Sequence, residues 1–113
     1  MEIKLHSFTL ELKHTFTISR ESYDFQENLV VELISDGISG FGEATSNPYY
    51  NITVDKMKHL IVENQVLIAS LSKKKPEDFW QKLHPLFKEN MFALCALDIA
   101  FNYFYARKQN KKL

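Results

Sequence analysis

Residues 90–105, NMFALCALDIAFNYFY, are typical of a helix that is apolar on nearly every side. After Asn90, only Asp98 and Asn102 in this stretch are strongly polar, and because they lie four residues apart they share one thin stripe. A helix that is apolar all round is expected to be buried on all sides, and Cys95 should then behave as a small buried hydrophobe. A chain of 113 residues has little interior in which to enclose such a helix. We therefore infer that the helix packs against residues outside this chain, which would make the chain part of a larger molecule.

The composition predicts an ordered globular domain and argues against two classes of partner. Hydrophobic residues make up 45% of the chain and charged residues 25%, which is ordinary for a globular protein. The 14 basic and 14 acidic side chains balance, so no long-range field attracts nucleic acid or an anionic membrane. Cys95 is the single cysteine, which rules out an internal disulfide and favours a reducing, cytoplasmic location.

The first half of the chain predicts β-strands. Apolar residues alternate along residues 3–12, but their parity changes at His6-Ser7, which predicts a bulge or bend. Farther on, the runs 28–35 and 38–45 flank Asp36-Gly37, a pair that favours a hairpin because both turn positions need a positive φ. The sequence therefore predicts a three-stranded antiparallel sheet.

The second half changes to a helical period. Thr53 can cap a helix with one apolar face. Pro76 suits the first turn of another helix, which Pro85 should end. The last helix should run from near Asn90 to near Gln109. The predicted fold class is α+β, a three-stranded antiparallel sheet followed by about three helices, with strands and helices segregated along the chain.

Motifs for self-contained catalysis or metal binding are missing from the sequence. It contains no HExxH, CxxC or Walker motif, and its three glycines do not form GxGxxG. The four histidines are scattered over different predicted elements, which disfavours a shared metal site. Asp98 and Glu43 are expected to be structural acids, with Asp98 facing the missing partner and Glu43 buried.

Two irregular segments are better candidates for binding. Residues 13–28 show no clear period, and long loops of this kind are often lids or binding loops; residues 45–51 follow the predicted hairpin. Arg20 offers a fork that matches a carboxylate, and the tyrosines of both segments offer rigid apolar walls with polar tips. The same composition also suits two solvated loops, and the residues alone do not decide between these interpretations.

Three motifs in a fixed order resemble the N-terminal capping domain of the enolase superfamily. They are the loop motif TFTISR at residues 15–20, the hairpin motif GISGFGEA at residues 37–44 and the helix motif ALDIA at residues 96–100. The resemblance covers essentially all 113 residues and lies nearest the muconate-lactonizing subgroup, in particular its dipeptide epimerases of the L-Ala-D/L-Glu type.

The resemblance implies that a modified (β/α) barrel follows residue 113 in the complete protein. In this superfamily the barrel supplies lysine acids and bases and three carboxylates that bind Mg²⁺. The implied activity is therefore that of an isomerase, a racemase or epimerase that removes the proton next to a carboxylate. Catalytic residues and metal ligands would all lie outside this chain, which should be inactive alone.

The capping domain in this superfamily selects the substrate through two loops that close over the barrel. The resemblance implies that Arg20 lies near the distal carboxylate of a dipeptide such as L-Ala-L-Glu. The other residues that it implies line the substrate are Ser19, Tyr23, Pro48 and Tyr49. The implied partners are the protein's own barrel, a small dipeptide or carboxylate substrate, and further copies in a homo-oligomer.

Several positions depart from the superfamily pattern. Asn102-Tyr103 replaces a His-Asp or Trp-Asp pair, Ala106 replaces a glycine, and residues 110–113 replace a Gly-x-Pro-Leu exit. A sister activity, o-succinylbenzoate synthase or muconate cycloisomerase, is therefore one alternative. A non-catalytic interaction module that uses the apolar helix at residues 91–105 is an alternative of another class. The chain would be either a fragment of a complete enzyme or a truncated gene product.

Overall fold

Strands and helices are segregated along the chain in the computed structural model, which describes residues 1–13, 23–46 and 52–111. The strands are β1 (Glu2–Lys13), β2 (Tyr23–Ser35) and β3 (Ile38–Thr45), and they form one antiparallel sheet in the order β1-β2-β3. The α-helices are α1 (Val54–Glu63), α2 (Gln65–Ser70), α3 (Pro76–Leu83) and α4 (Met91–Lys111), with a 3₁₀ turn at His84–Leu86. The predicted α+β order is confirmed.

The described part of the chain has four α-helices where about three were expected. Asn64 separates α1 from α2 because its backbone, at φ −108° and ψ 15°, leaves the helical region. The predicted starts of α1 and α3 are confirmed, whereas α4 continues to Lys111, two residues past the predicted end at Gln109. The Thr53 hydroxyl accepts a hydrogen bond from the Lys56 amide at 3.1 Å, and Pro76 occupies the first turn of α3.

The turn between β2 and β3 has the geometry that its sequence predicts. Asp36 has φ 53° and Gly37 has φ 77°, so both central residues adopt the left-handed conformation of a type I′ turn. Ser35 pairs directly with Ile38 on either side of it. The predicted hairpin is therefore confirmed, and it fixes the register of the two strands.

The bulge predicted in β1 is absent. β1 and β2 pair without interruption from Glu2–Ile34 to Lys13–Tyr23. The change of parity in the sequence has a different cause. Ile3 and Leu5 pack toward the helices, whereas Phe8 lies on the opposite face of the sheet and is 40% exposed. β1 is therefore a regular strand in which the apolar residues change from the inner face of the sheet, at Ile3 and Leu5, to the outer face, at Phe8.

Much of the predicted irregular segment 13–28 is also strand. β2 begins at Tyr23, so the connection between β1 and β2 is residues 14–22. Backbone pairing between strands needs no apolar period, and Tyr23-Asp24-Phe25 already alternates apolar and polar residues. The polar residues around these aromatics hide the strand pattern in the sequence.

One hydrophobic core lies between the sheet and the helices. β2 contributes Leu29, Val31 and Leu33, all fully buried on one face of the sheet. At the centre of the helical layer Phe79 of α3 and Phe101 of α4 stack with ring centroids 4.1 Å apart and planes 9° apart. The remaining fully buried large side chains among the described residues are Phe87, Phe104, Met57, Ile61, Ile68, Leu83, Leu94 and Leu97.

The backbone of α4 lies directly on β3, because two glycines face two alanines. A Cβ atom added to Gly42 would overlap the carbonyl oxygen of Ala96, and one added to Gly40 would overlap that of Ala100. These glycines are therefore required by the close approach of the helix to the strand. The glycines of the hairpin motif and the alanines of the helix motif therefore contact each other directly.

The described residues bury every face of α4 except one, and the expectation that residues outside this chain cover the helix stays a prediction. Ala93, Leu97 and Phe101 on the core side are fully buried, but Ile99 is 44% exposed and Tyr103 59% exposed. Cys95 is also exposed, contrary to the expected burial. In the described part of the chain the sheet and α3 cover the other faces of the helix, and nothing covers this one.

Asp98 lies half-buried on this uncovered face. Partial burial raises the pKa of its carboxyl, while a side-chain hydrogen bond with Asn102 lowers it. Because the pKa in the folded chain is above that in the unfolded chain, the carboxylate opposes folding at neutral pH. This penalty disappears as the pH falls through the raised pKa.

Asp98→Asn is therefore expected to increase the free energy of unfolding of this chain at pH 7, by less than about 1 kcal/mol given screening by solvent. The gain should shrink as the pH is lowered, and urea denaturation at several pH values would measure it. Asp78→Asn is the control of opposite sign, since it removes a negative charge from the first turn of α3. A loss of stability in Asp98→Asn at pH 7 would contradict the prediction.

Candidate functional site

The two candidate binding segments leave the same end of the sheet. Residues 14–22 connect the end of β1 to the start of β2, and residues 47–51 follow Thr45 at the end of β3. Thr45 pairs with Asn28, and beyond this pair β1 and β2 continue alone for five residue pairs, from Thr9–Glu27 to Lys13–Tyr23. This two-stranded ribbon extends roughly 17 Å past the end of β3 at about 3.4 Å per residue. The first segment therefore starts from the tip of the ribbon and the second from its base.

Most of the predicted substrate-binding residues fall in these segments. Ser19, Arg20, Pro48 and Tyr49 lie outside the described residues. Tyr23 is the first residue of β2, where it pairs with Lys13, so it belongs to a strand and not to a loop. Their assignment to substrate binding stays a prediction.

A polar pair lies at the base of the ribbon, where the second segment begins. The Asn28 amide nitrogen donates a hydrogen bond to a Glu43 carboxylate oxygen at 2.5 Å. Asn28 is only 4% exposed, whereas Glu43 is exposed, so the buried polar residue here is the amide and not the acid that the sequence suggested. Asn28 Oδ1 is buried and accepts no hydrogen bond from any residue that the structure describes.

The second segment is tied to the same place by the backbone. The Ser46 amide donates a hydrogen bond to the Glu27 carbonyl at 2.8 Å, one residue beyond the end of β3. Together with the Asn28–Glu43 pair, this bond fixes the start of the second segment to the root of the ribbon that carries the first. The second segment therefore begins at the root of the ribbon whose tip carries the first.

Sequence reasoning missed Asn28. It comes directly before the apolar residues of β2. It also has the same parity as Glu32, which lies on the outer face of the sheet, so nothing in the sequence pattern indicates that Asn28 is buried. The one indication of its position is that Asn28 lies opposite Thr45 in the last residue pair of the hairpin. That pairing could be counted from the turn at Asp36-Gly37 once the hairpin register was known.

Two further observations concern metal binding and membrane spans. Within the described ranges no three His, Cys, Asp or Glu side chains form a group that could hold a metal ion. Among the described helices, including the 21-residue α4, none combines the length and apolar character needed to cross a membrane.

A comparison with protein families gives the class to which this fold and loop arrangement belong. Residues 2–113 match the family described as mandelate racemase / muconate lactonizing enzyme, N-terminal domain. The chain therefore belongs to this family of the enolase superfamily, and the resemblance drawn from its three motifs is confirmed.

Individual relatives are epimerases. The chain is 58% identical to an L-Ala-D/L-amino acid epimerase of Flavobacterium johnsoniae and 47% identical to one of a Maribacter species, in both cases over 100% of the chain. It is 27% identical, over 90% of its length, to an L-Ala-D/L-Glu epimerase of Bacteroides thetaiotaomicron. The chain spans 34%, 33% and 26% of these relatives, about a third of their length.

Proposed function

We propose that this chain is the substrate-capping domain of an epimerase that acts on dipeptides with an N-terminal L-alanine. The observation that carries the proposal is the match of the whole chain to L-Ala-D/L-amino acid epimerases at 58% and 47% identity. The geometry supports it, because two segments rich in hydroxyls and aromatics leave the same end of the sheet, one from the tip of the β1–β2 ribbon and one from its root. The complete protein would carry the catalytic residues in a following barrel domain, since the relatives are about three times as long.

The role proposed for the two segments is selection of the second residue of the dipeptide. Arg20 would bind a side-chain carboxylate through its planar fork. The proposed lining residues are Ser19, Tyr23, Pro48 and Tyr49. The 58% and 47% identical relatives are named for amino acids in general and not for glutamate, so the proposed substrate class is L-Ala-L-X, with L-Ala-L-Glu as the member that uses Arg20.

Mg²⁺ and the lysine acid and base belong to the part of the protein outside this chain, in this proposal. Bound Mg²⁺ supplies charge stabilisation when the proton next to a carboxylate is removed. The described residues offer no metal site, so this chain's contribution is to bind and orient the substrate and to exclude water. A homo-oligomer in the cytoplasm is part of the same proposal; the single cysteine, which favours a reducing compartment, supports the location.

The proposal predicts exchange of one α-proton in the longer protein. Incubated in D₂O with L-Ala-L-Glu and with a panel of L-Ala-L-X dipeptides, it should replace the α-proton of the second residue with deuterium, as followed by ¹H NMR. Removal of Mg²⁺ with a chelator should abolish the exchange, and added Mg²⁺ should restore it.

The 113-residue chain is the matched control and should give no exchange with any dipeptide. Failure of the longer protein to exchange the α-proton of every dipeptide would refute the proposal. Turnover of o-succinylbenzoate precursors or of muconate in its place would establish one of the sister activities.

A further inference from the structure

The hydrogen bond between Asn28 and Glu43 holds the last residues of β3 to β2. Asn28 pairs with Thr45 in the backbone register, whereas its amide nitrogen donates to Glu43, two residues earlier on β3. Such a diagonal contact joins neighbouring side chains on one face of a sheet. Glu27, next to Asn28 on β2, accepts a hydrogen bond from the Ser46 amide at 2.8 Å. Two adjacent residues of β2 therefore hold β3 on both sides of Thr45.

The burial of Asn28 distinguishes this bond from another polar contact on the outer face of the sheet. Asn28 is 4% exposed, whereas the His6 side chain that pairs with Glu32 on the same face is 53% exposed. A hydrogen bond to a charged group is stronger in a buried site than in water. Asn28 can therefore hold Glu43 in one position, which a residue that orients part of a binding site must do.

The second segment, residues 47–51, is also anchored where it ends. Ile52 packs against the hydrophobic core, and the Thr53 hydroxyl caps α1 by accepting a hydrogen bond from the Lys56 amide. Five residues therefore join two anchored points. The course of a short connection depends on where its ends lie, and a displacement of about 1 Å in a binding site can change activity by about 100-fold.

We propose that Asn28 is a positioning residue for substrate selection, which acts through its hydrogen bond with Glu43. The bond sets where the second segment starts, and thereby how closely this segment approaches the side chain of the second amino acid of the dipeptide. The inference rests on the proposed function, in which Pro48 and Tyr49 of the second segment line the substrate. Asn28 takes no part in the proton transfer, so its effect is on binding.

Loss of this bond should affect two kinds of dipeptide differently. The first segment leaves from the tip of the β1–β2 ribbon, whose strands pair with each other without β3. Arg20 in that segment would still bind the carboxylate of L-Ala-L-Glu. L-Ala-L-Leu lacks this contact, so its binding depends more on the apolar wall that the second segment would provide. The apolar dipeptide is therefore expected to lose more.

Asn28→Asp in the longer protein tests the proposal. The substitution keeps the shape of the side chain but removes the donor and places a negative charge next to the Glu43 carboxylate. We expect KM for L-Ala-L-Leu to rise about tenfold, KM for L-Ala-L-Glu to change less than about threefold, and both kcat values to stay within about twofold. Rates of α-proton exchange at several dipeptide concentrations, followed by ¹H NMR, give these constants. Equal losses with both dipeptides, or unchanged kinetics, would overturn the proposal.

Exchange of donor and acceptor provides the rescue. Asn28→Asp combined with Glu43→Gln restores one hydrogen bond, now donated by residue 43, and keeps the shapes of both side chains. A double-mutant cycle measures the interaction, and KM for L-Ala-L-Leu should return to within about threefold of its original value. Glu32→Gln changes an acid on the same strand and face, in the pair with His6, and should leave both dipeptides unaffected. A double variant as defective as Asn28→Asp alone would overturn the proposal.

Two further measurements keep the test decisive. If Asn28→Asp does not fold, Glu43→Ala breaks the same bond from an exposed position and should give the same difference between the two dipeptides. Hydrogen exchange gives a readout that needs no activity. The Ser46 amide, which donates to the Glu27 carbonyl, should exchange about tenfold faster in Asn28→Asp of the longer protein and return to its original rate in the double variant.

The two proposals fail in different ways. A longer protein that exchanges the α-proton of no dipeptide refutes the function, and hydrogen exchange of the Ser46 amide then tests the positioning role by itself. Faster exchange in Asn28→Asp would support that role, and unchanged exchange would overturn it. Equal kinetic losses in an active epimerase would overturn only the positioning role of Asn28.

Discussion

Gly42→Ala is expected to lower the free energy of unfolding by about 3 kcal/mol, at the upper end of the usual cost of overpacking. The added methyl group would occupy the position of the Ala96 carbonyl oxygen and would also crowd the Ala100 amide. Both are backbone atoms of α4, so no side-chain rotation can relieve the overlap, and the helix itself must move away from β3. That movement would disturb the stack of Phe79 on Phe101 and the burial of Leu97.

Thermal denaturation followed by circular dichroism would measure the effect. A loss of about 3 kcal/mol corresponds to a fall in Tm of roughly 10–20 °C for a domain of this size. Gly37→Asn is the matched control, because Gly37 has a φ of 77° that asparagine tolerates, and an added Cβ atom there meets nothing within 4 Å. If Gly42→Ala were as stable as Gly37→Asn, the close contact between α4 and β3 would be wrong.

Local signals in the sequence predicted the local structure well. Asp36-Gly37 specified the turn, Thr53 capped a helix, and Pro76 and Pro85 marked the start and the end of α3. Each of these predictions depends on the conformation of one or two residues, which neighbouring residues decide. Such signals survive in any fold that the rest of the chain adopts.

Predictions that depended on contacts between distant residues were less successful. The parity change in β1 was interpreted as a bulge because a single strand shows only its own pattern, whereas the faces of a sheet are covered by elements far along the chain. The requirement for glycine at positions 40 and 42 is hidden in the sequence for the same reason. Their true partners, Ala100 and Ala96, lie more than fifty residues away, and the sequence alone does not pair them.

The apolar character of α4 was interpreted correctly in one respect and incorrectly in another. The absence of a polar face predicted that the helix has more contacts than 113 residues can provide, and the exposed Ile99 and Tyr103 are consistent with that inference. The same absence of polarity predicted burial of Cys95, which is exposed. An apolar helix face indicates that its side chains favour burial, but it does not indicate which residues bury them.

The sequence could predict where the two candidate binding segments lie on the sheet, but not which side chains contact each other there. The antiparallel hairpin brings both irregular segments to one end of the sheet, which follows from strand order alone. The Asn28–Glu43 pair at their common base could not be foreseen, because burial of an amide depends on tertiary packing. The roles of Arg20 and its neighbours rest on the family resemblance.

Arg20→Ala in the longer protein is expected to lower kcat/KM for L-Ala-L-Glu about 100-fold, which corresponds to roughly 2.7 kcal/mol of transition-state binding. In the proposed complex, the variant would lose the two parallel hydrogen bonds of a guanidinium–carboxylate pair, which would leave the substrate carboxylate without its cation. Most of the loss should appear in KM, because the distal carboxylate takes no part in the proton transfer and its binding is the same in ground and transition states.

An uncharged substrate is the internal control for this variant. L-Ala-L-Leu has no distal carboxylate, so its kcat/KM should change little in Arg20→Ala, and the ratio of the two substrates then reports the role of Arg20 independently of folding. Lys88→Ala removes an exposed positive charge elsewhere on the domain and should leave both substrates unaffected. Arg20→Lys should recover only part of the activity, because an ammonium group lacks the planar fork. Equal losses with both dipeptides would show that Arg20 supports the structure of the loop, and unchanged turnover of L-Ala-L-Glu would show that another residue binds its carboxylate.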